Sequence, residues 1–366
     1  MGLGCGSHVP LASAGPELSS SRASQKPASA AQTAATPRIH QVRRVVMSEL
    51  FHRAGSVIRR KQSRKVREQP DAVRKQPVSV RALIERGARR LRRAGVFFGH
   101  GTDNAFDESA ALVFHALALS HDAGASVYSK RVGVDAQRRA RDLITRRVEE
   151  RVPAVYLTGE TWFAGLAFQV DPRVLIPRSP IAELIERQFT PWIDPGRVRR
   201  VLDIGTGSGC IAIACAMAYP RAEVDGVDIS DDALEVARIN GRRHRLGKRL
   251  RLLKSDHFSA LGDETYDIIV TNPPYVGERE LKGLPAEYRH EPKIALAAGR
   301  AGLDSVRVIL QEAARHLRPQ GLLVVEVGNT ETAVRRAFRQ LPFMWLDFER
   351  GGGGVFLLSA EDLQRR

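Results

Sequence analysis

Two short runs in this sequence hold residue types that could do chemistry without a charged nucleophile. The first is "TNPPYV", Thr271 to Val276, which follows the apolar run "YDIIV". Consecutive prolines remove two backbone donors and fix φ, so the chain leaves a strand there in a rigid, extended turn. Asn272 brings a side-chain carbonyl to that turn, Pro273 a main-chain carbonyl and Tyr275 a flat ring. Two neighbouring acceptors suit a planar NH2 group, whose two hydrogens they would bind, while Tyr275 and Pro274 wall the substrate. The second run is "VLDIGTGSGC", in which Asp203 precedes Gly205, Gly207 and Gly209 between a strand and a helix. Glycines there let a ligand approach the backbone, and the amides of a following helix point at it. As a dinucleotide fingerprint the run is imperfect, because Cys210 stands at the sixth position counted from Gly205.

Two further acids follow at strand ends. Asp228 closes "AEVDGVDI", where a carboxylate suits a pair of ribose hydroxyls, and Asp256 lies in "LLKSDHF", where it could accept the amine of adenine. A nicotinamide dinucleotide would explain the glycine loop and Asp228 nearly as well, and Asp256 serves equally as a helix cap. With the "NPPY" turn added, the set points to S-adenosylmethionine. Asp203 would help hold the cofactor's amino-acid part, the three glycines would permit its approach, and Asn272 would aim its carbonyl toward the methyl group. The sulfonium supplies the driving force, so the protein need only hold a nucleophile in line with the S–CH3 bond.

These residues need elements to position them. From Arg199 onward, strand-like runs ("RVLDI", "AEVDGVDI", "RLRLLK", "YDIIV", "GLLVVEV", "FMWLDFE", "VFLLSA") alternate with helix-like ones, which predicts a doubly wound, mostly parallel α/β sheet with an antiparallel edge. This Rossmann-like unit is expected over 178–366. Residues 78–152 show helical spacing and read as a small helical domain. Within it, Asp107 is expected to cap a helix bearing Leu112, Val113, His115 and Leu119, with His115 packed in the core and Pro153 stopping the helices. Residues 153–177 read as a linking β-hairpin turning at Gly165.

Residues 1–77 read as an extension. Its first part is Ala, Ser, Gly and Pro without periodicity, a disordered composition. The stretch 38–93 then holds 18 Lys and Arg against four acids. The whole chain carries a net charge of +16, a surplus that suits RNA or another polyanion or serves as a solubilising tail. Cys5, Cys210 and Cys215 lack metal-ligand spacing and read as reduced, structural residues of a cytoplasmic protein; no metal site is expected. No apolar run approaches transmembrane length, so no membrane contact is expected.

The motifs together resemble the protein glutamine N5-methyltransferases, over about Val78 to Ala360. "NPPY" is shared with enzymes that methylate DNA adenine or RNA guanine, but "LTGETWFAGLAFQV", "VLIPRSPIAELI" and "EPKIALAAGRAGLD" are similar to the glutamine enzymes. That resemblance implies a class I, seven-stranded methyltransferase domain that uses S-adenosylmethionine. One branch of the family acts on peptide-chain release factors and typically reads P-R-P-x-T-E after the hairpin. This chain reads "PRSPIAEL", and "FFGHGTDNAFDESA" is similar to the other branch, whose substrate is the third protein of the large ribosomal subunit. The resemblance supports Asn272, Pro273 and Tyr275 as an amide clamp, makes Phe163 and Arg178 walls of the substrate pocket, and leaves Glu291 a structural residue. A contact between rRNA and the basic extension would accompany a ribosomal substrate. The alternatives are a release-factor enzyme and a non-catalytic ribosome-assembly factor that keeps the fold as a scaffold.

Overall fold

The computed structural model describes residues 77–364; the basic extension up to residue 76 lies outside them. β1 (Val78–Ser79) pairs antiparallel with β2 (Arg131–Val132), closing the helical part at its base. Between and after these strands run α1 (Val80–Arg93), α2 (Ala105–Ala116) and α3 (Val134–Glu149). Leu83, Ile84 and Leu91 of α1 pack against Leu112 and Val113 of α2 and Ile144 of α3, the apolar stripe that the helical spacing predicts. Ser79 caps α1 by accepting from the Ala82 amide.

Three details differ from the sequence-based expectation. Asn104, not Asp107, caps α2: its Oδ1 accepts from the Phe106 and Asp107 amides at 3.0 and 2.9 Å, because the helix starts at Ala105, three residues before the start that an Asp107 cap implies. His115 is exposed, since the packed face of α2 is carried by Leu112, Val113 and Ala116, and Leu119 lies beyond the helix end. Pro153 does not end the helices; its fixed φ starts a further one, α4 (Ala154–Thr158).

The hairpin β3 (Glu160–Phe163) and β4 (Leu166–Gln169) follows, then α5 (Ile181–Glu186). The sheet consists of β5 (Arg200–Ile204), β6 (Glu223–Asp228), β7 (Leu250–Lys254), β8 (Tyr266–Thr271), β9 (Leu317–Glu326), β10 (Met344–Leu346) and β11 (Val355–Ser359). Its order is β10-β11-β9-β8-β5-β6-β7, with β11 antiparallel to both β9 and β10 and the other pairs parallel. The principal crossing helices are α6 (Cys210–Ala218), α7 (Asp231–Arg243), α9 (Asp304–His316) and α10 (Glu331–Ala337), with α8 (Glu278–Leu281) in a loop and α11 (Ala360–Gln364) at the end. The hairpin is bound to this unit: Asn240 of α7 accepts from the Gln169 amide and donates to its carbonyl, and Phe168 is fully buried in the sheet's core. Strand β5 sits at the switch point, with β6 on one side and β8 on the other. The glycine loop, Asp228 and the "NPPY" turn therefore leave three adjacent strands at their carboxyl ends, where doubly wound sheets bind ligands.

Candidate active site

The glycine loop is fastened to its neighbours through acids. Asp228 Oδ2 accepts from the Gly207 amide at 2.9 Å and Oδ1 from the Ser230 amide at 2.9 Å. The Thr206 amide donates to the Val227 carbonyl, and Thr271 Oγ1 donates to the Ile204 carbonyl, locking the ends of β5, β6 and β8 in register. Asp203 lies beneath the loop, with its Oδ1 buried and unpartnered. Its side chain is 0% exposed and its Oδ2 accepts from Thr206 Oγ1 and the Ala212 amide, so it fixes the loop from beneath. Burial pushes its carboxyl up to about 7, with the charge of Asp228 adding to the shift against those two hydrogen bonds.

The three glycines divide into two roles. All have positive φ, between 54° and 79°, the left-handed region that a side chain resists. A methyl group on Gly205 would meet nothing within 4 Å, and one on Gly207 only the Gly205 carbonyl at 4.0 Å. These two border open space in front of the loop. A methyl on Gly209 would instead stand 3.2 Å from Ala237 Cβ and 3.2 Å from Ile213 Cδ1. Gly209 thus also serves close packing of α6 on α7. The open cradle before Gly205 and Gly207, with Asp228 at its edge, fits a nucleoside-bearing ligand. Asp256 is exposed and accepts from, or pairs with, His257 Nδ1 at 2.6 Å; it sits in a turn, not at the helix start that was its alternative.

At the end of β8, Asn272 Oδ1 is buried and accepts no hydrogen bond. Nearby, the Tyr275 hydroxyl lies 3.3 Å from Glu326 Oε1, and burial raises the Tyr275 pKa. Glu326, the last residue of β9, also accepts from Ser179 Oγ, and burial lifts its carboxyl above the ordinary range. Neither Ser179 nor Glu326 was singled out from the sequence. An acid inside the apolar run "LLVVEV" is the signal that finds Glu326, since such a group needs partners.

The two expected substrate walls are placed differently. Phe163 is 4% exposed and packs edge-to-face on Phe168 in the core, because β3 turns that side of the hairpin toward α5 and α6. Arg178 forms a bidentate pair with buried Glu291 at 2.5 and 2.9 Å and lies over the Tyr288 ring. Glu291 is thereby structural. Around this pair, His100 abuts Tyr288, while Arg147 of α3 joins Glu108, Glu287 and the Phe97 carbonyl. This network holds the helical part against the loop that follows "NPPY". Cys215 is buried and Cys210 half-buried, and burial pushes the Cys210 thiol up to about 12, which leaves it inert. No helix among the described residues is long and apolar enough to cross a membrane.

Residues 187–285 match the family described as Methyltransferase small domain. The chain is 49% identical to the ribosomal protein uL3 glutamine methyltransferase of Xanthomonas campestris pv. campestris, over 77% of this chain and 91% of that protein. It is 48% identical to the protein of the same name from Bordetella pertussis, over 78% and 96% of the two chains. The corresponding protein of Francisella tularensis is 43% identical, over 78% and 91%.

Proposed function

The chain belongs to the ribosomal protein uL3 glutamine methyltransferases, and on that premise we infer that it moves a methyl group from S-adenosylmethionine to a glutamine side-chain nitrogen of uL3. The observation that carries the site is the unmatched Asn272 Oδ1 at the carboxyl end of β8. A buried acceptor without a donor costs about 1 to 3 kcal/mol. A glutamine NH2 group supplies the missing donor, and the Pro273 carbonyl takes its second hydrogen. Held this way, the amide lone pair is drawn from conjugation and turned toward the cradle before Gly205 and Gly207. Tyr275 and Pro274 form the wall on which the planar amide lies.

Bound in the cradle, S-adenosylmethionine supplies a sulfonium-borne methyl group, a ready electrophile. Asp228 would take the ribose hydroxyls and Asp256 the adenine amine, while Asp203 keeps the loop in shape from below. Asn272 and Pro273 are acceptors but not bases, so they position the nitrogen; the N–C bond would form as the S–CH3 bond breaks to a neutral thioether, and the amide proton would pass to water. The clamp acts through geometry, for which effective-concentration gains are large.

Asn272→Ala is the direct test. Calorimetry should find S-adenosylmethionine binding close to wild type, while methylation of uL3 falls by about a hundredfold or more. Wild-type turnover by this variant removes the clamp. Mass spectrometry of uL3 from cells with and without the protein tests the substrate, and a ribosomal-protein substrate supports a cytoplasmic reaction. The basic segment 38–75 adds an rRNA contact to this reading, through its charge.

A further inference from the structure

We propose that Ser179 and Glu326 form a positioning relay for Tyr275, and through it for the substrate amide; the proposal rests on the amide-clamp reading. Tyr275 follows two prolines, yet its place is set by what surrounds it. A methyl group on Gly328 would stand 2.5 Å from the Tyr275 ring, and one on Gly302 would stand 2.3 Å from its carbonyl. The ring is thus seated against one bare backbone and the peptide against another. The ring's hydroxyl end meets Glu326 Oε1.

Glu326 is 5% exposed at the end of a strand whose neighbours Val324, Val325 and Val327 are fully buried. Packing alone would place an apolar residue there. Its Oε2 is held by Ser179 Oγ, and Ser179 Oγ in turn accepts from the Ile181 amide at the start of α5. The carboxylate is therefore fixed from the α5 side and offers its other oxygen to the tyrosine. At 3.3 Å the tyrosine bond is long for an O–H to O contact, whereas the serine bond is short. The relay is rigid at its root and slack at its tip, the arrangement expected of a contact that tightens when substrate presses on the ring. Ser179 occupies the third position of "PRSP", where the motif P-R-P-x-T-E has a proline and no hydroxyl. The root of the relay is a feature that motif lacks.

The test uses the full-length enzyme with uL3 as substrate and the variants Ser179→Ala, Ser179→Thr, Glu326→Gln, Tyr275→Phe and Ser179→Ala with Tyr275→Phe. Ser179→Ala, Glu326→Gln and Tyr275→Phe should each lower kcat/KM for uL3 about tenfold, with S-adenosylmethionine affinity within about twofold of wild type. Ser179→Thr, which keeps the hydroxyl, should restore most of the rate. In the Tyr275→Phe background, Ser179→Ala should add less than about a twofold further loss, because the tip is already cut. A merely structural serine would give additive losses in the double variant and weaken cofactor binding in parallel, and either result overturns the relay. Wild-type rates for Ser179→Ala and Glu326→Gln overturn it also. Failure of the clamp reading shows separately, as full activity of Asn272→Ala and Tyr275→Ala, and would take the relay's premise with it.

Discussion

Acid should loosen the joint between the helical part and the "NPPY" loop through one residue, His100. Its ring is 1% exposed, lies 4.6 Å from the Tyr288 ring and 5.9 Å from Phe97, and neither nitrogen has a hydrogen-bond partner. Burial lowers its pKa from 6.5 to about 3, with the charges of Arg178 and Arg147 adding to that shift. Glu291 Oε1 lies 3.5 Å away, but it is committed to Arg178 and does not offset the burial. A histidine with a depressed folded pKa stays neutral in the native state while the unfolded chain takes up a proton below pH 6.5. Stability is therefore lost as pH falls from 6.5 toward 3. One proton is worth about 1.4 kcal/mol per pH unit, so by pH 5 this residue alone removes about 2 kcal/mol. For a folded unit of about 290 residues that corresponds to about 3 °C in Tm. Asp203, Glu108, Asp228 and Glu326 have raised pKa values and act in the opposite sense. The informative quantity is thus the difference between wild type and His100→Gln, followed by urea or thermal unfolding from pH 8 to pH 5. The variant should lose about 2 kcal/mol less over that range. Parallel curves for the two proteins would refute the assignment of a neutral, buried His100.

Two further outcomes follow from the geometry. Gly207→Ala places a methyl in the open cradle and should weaken S-adenosylmethionine at least about tenfold while costing about 1 to 2 kcal/mol of stability, whereas Gly209→Ala drives a methyl onto Ala237 and should lose about 2 to 3 kcal/mol by strain and overpacking, with a smaller effect on cofactor affinity; calorimetry and urea unfolding of both variants separate the roles. Removing the residues before Val78 should flatten the salt dependence of binding to precursor ribosomes and leave the rate on a short glutamine peptide nearly unchanged, and equal salt slopes for the full-length and truncated enzymes would make the extension a passive tail.

The sheet was legible because its strands are short apolar runs separated by turn residues, a pattern set by local chemistry that survives whatever packs on top. "DIGTGSG" and "TNPPY" were legible for a similar reason: glycine and proline limit the backbone wherever they occur. What misled were statements about which way a side chain faces. Asp203 and Phe163 carry the residue types of a site, and both are buried, the first beneath the glycine loop and the second in the core. Asp107 lost its capping role to Asn104, three residues upstream, because both are good caps and only the true helix start decides. His115 falls off the packed face of α2, which Leu112, Val113 and Ala116 carry. Gly209 looks identical to Gly205 in sequence, and only the approach of α7 gives it a different task.

The least legible part is also the part that joins the two halves of the molecule. Glu108, Arg147, Glu287, Arg178, Glu291 and His100 are scattered over nearly two hundred residues, and no spacing rule links them. Their partnership is visible only because an arginine at 0% exposure requires carboxylates, and Arg147 finds one from α2 and one from the loop after "NPPY". Replacing such a buried network with apolar residues is often neutral or stabilising, so stability alone does not explain it. Charges do what apolar packing does poorly: they fix one register of the loop against the helices, and a shifted register leaves a charge unpaired. The loop so fixed begins at Val276, directly after Tyr275. On the clamp reading we propose, the helical part enters the chemistry without touching it, by holding the far end of the segment whose near end is Asn272 to Tyr275.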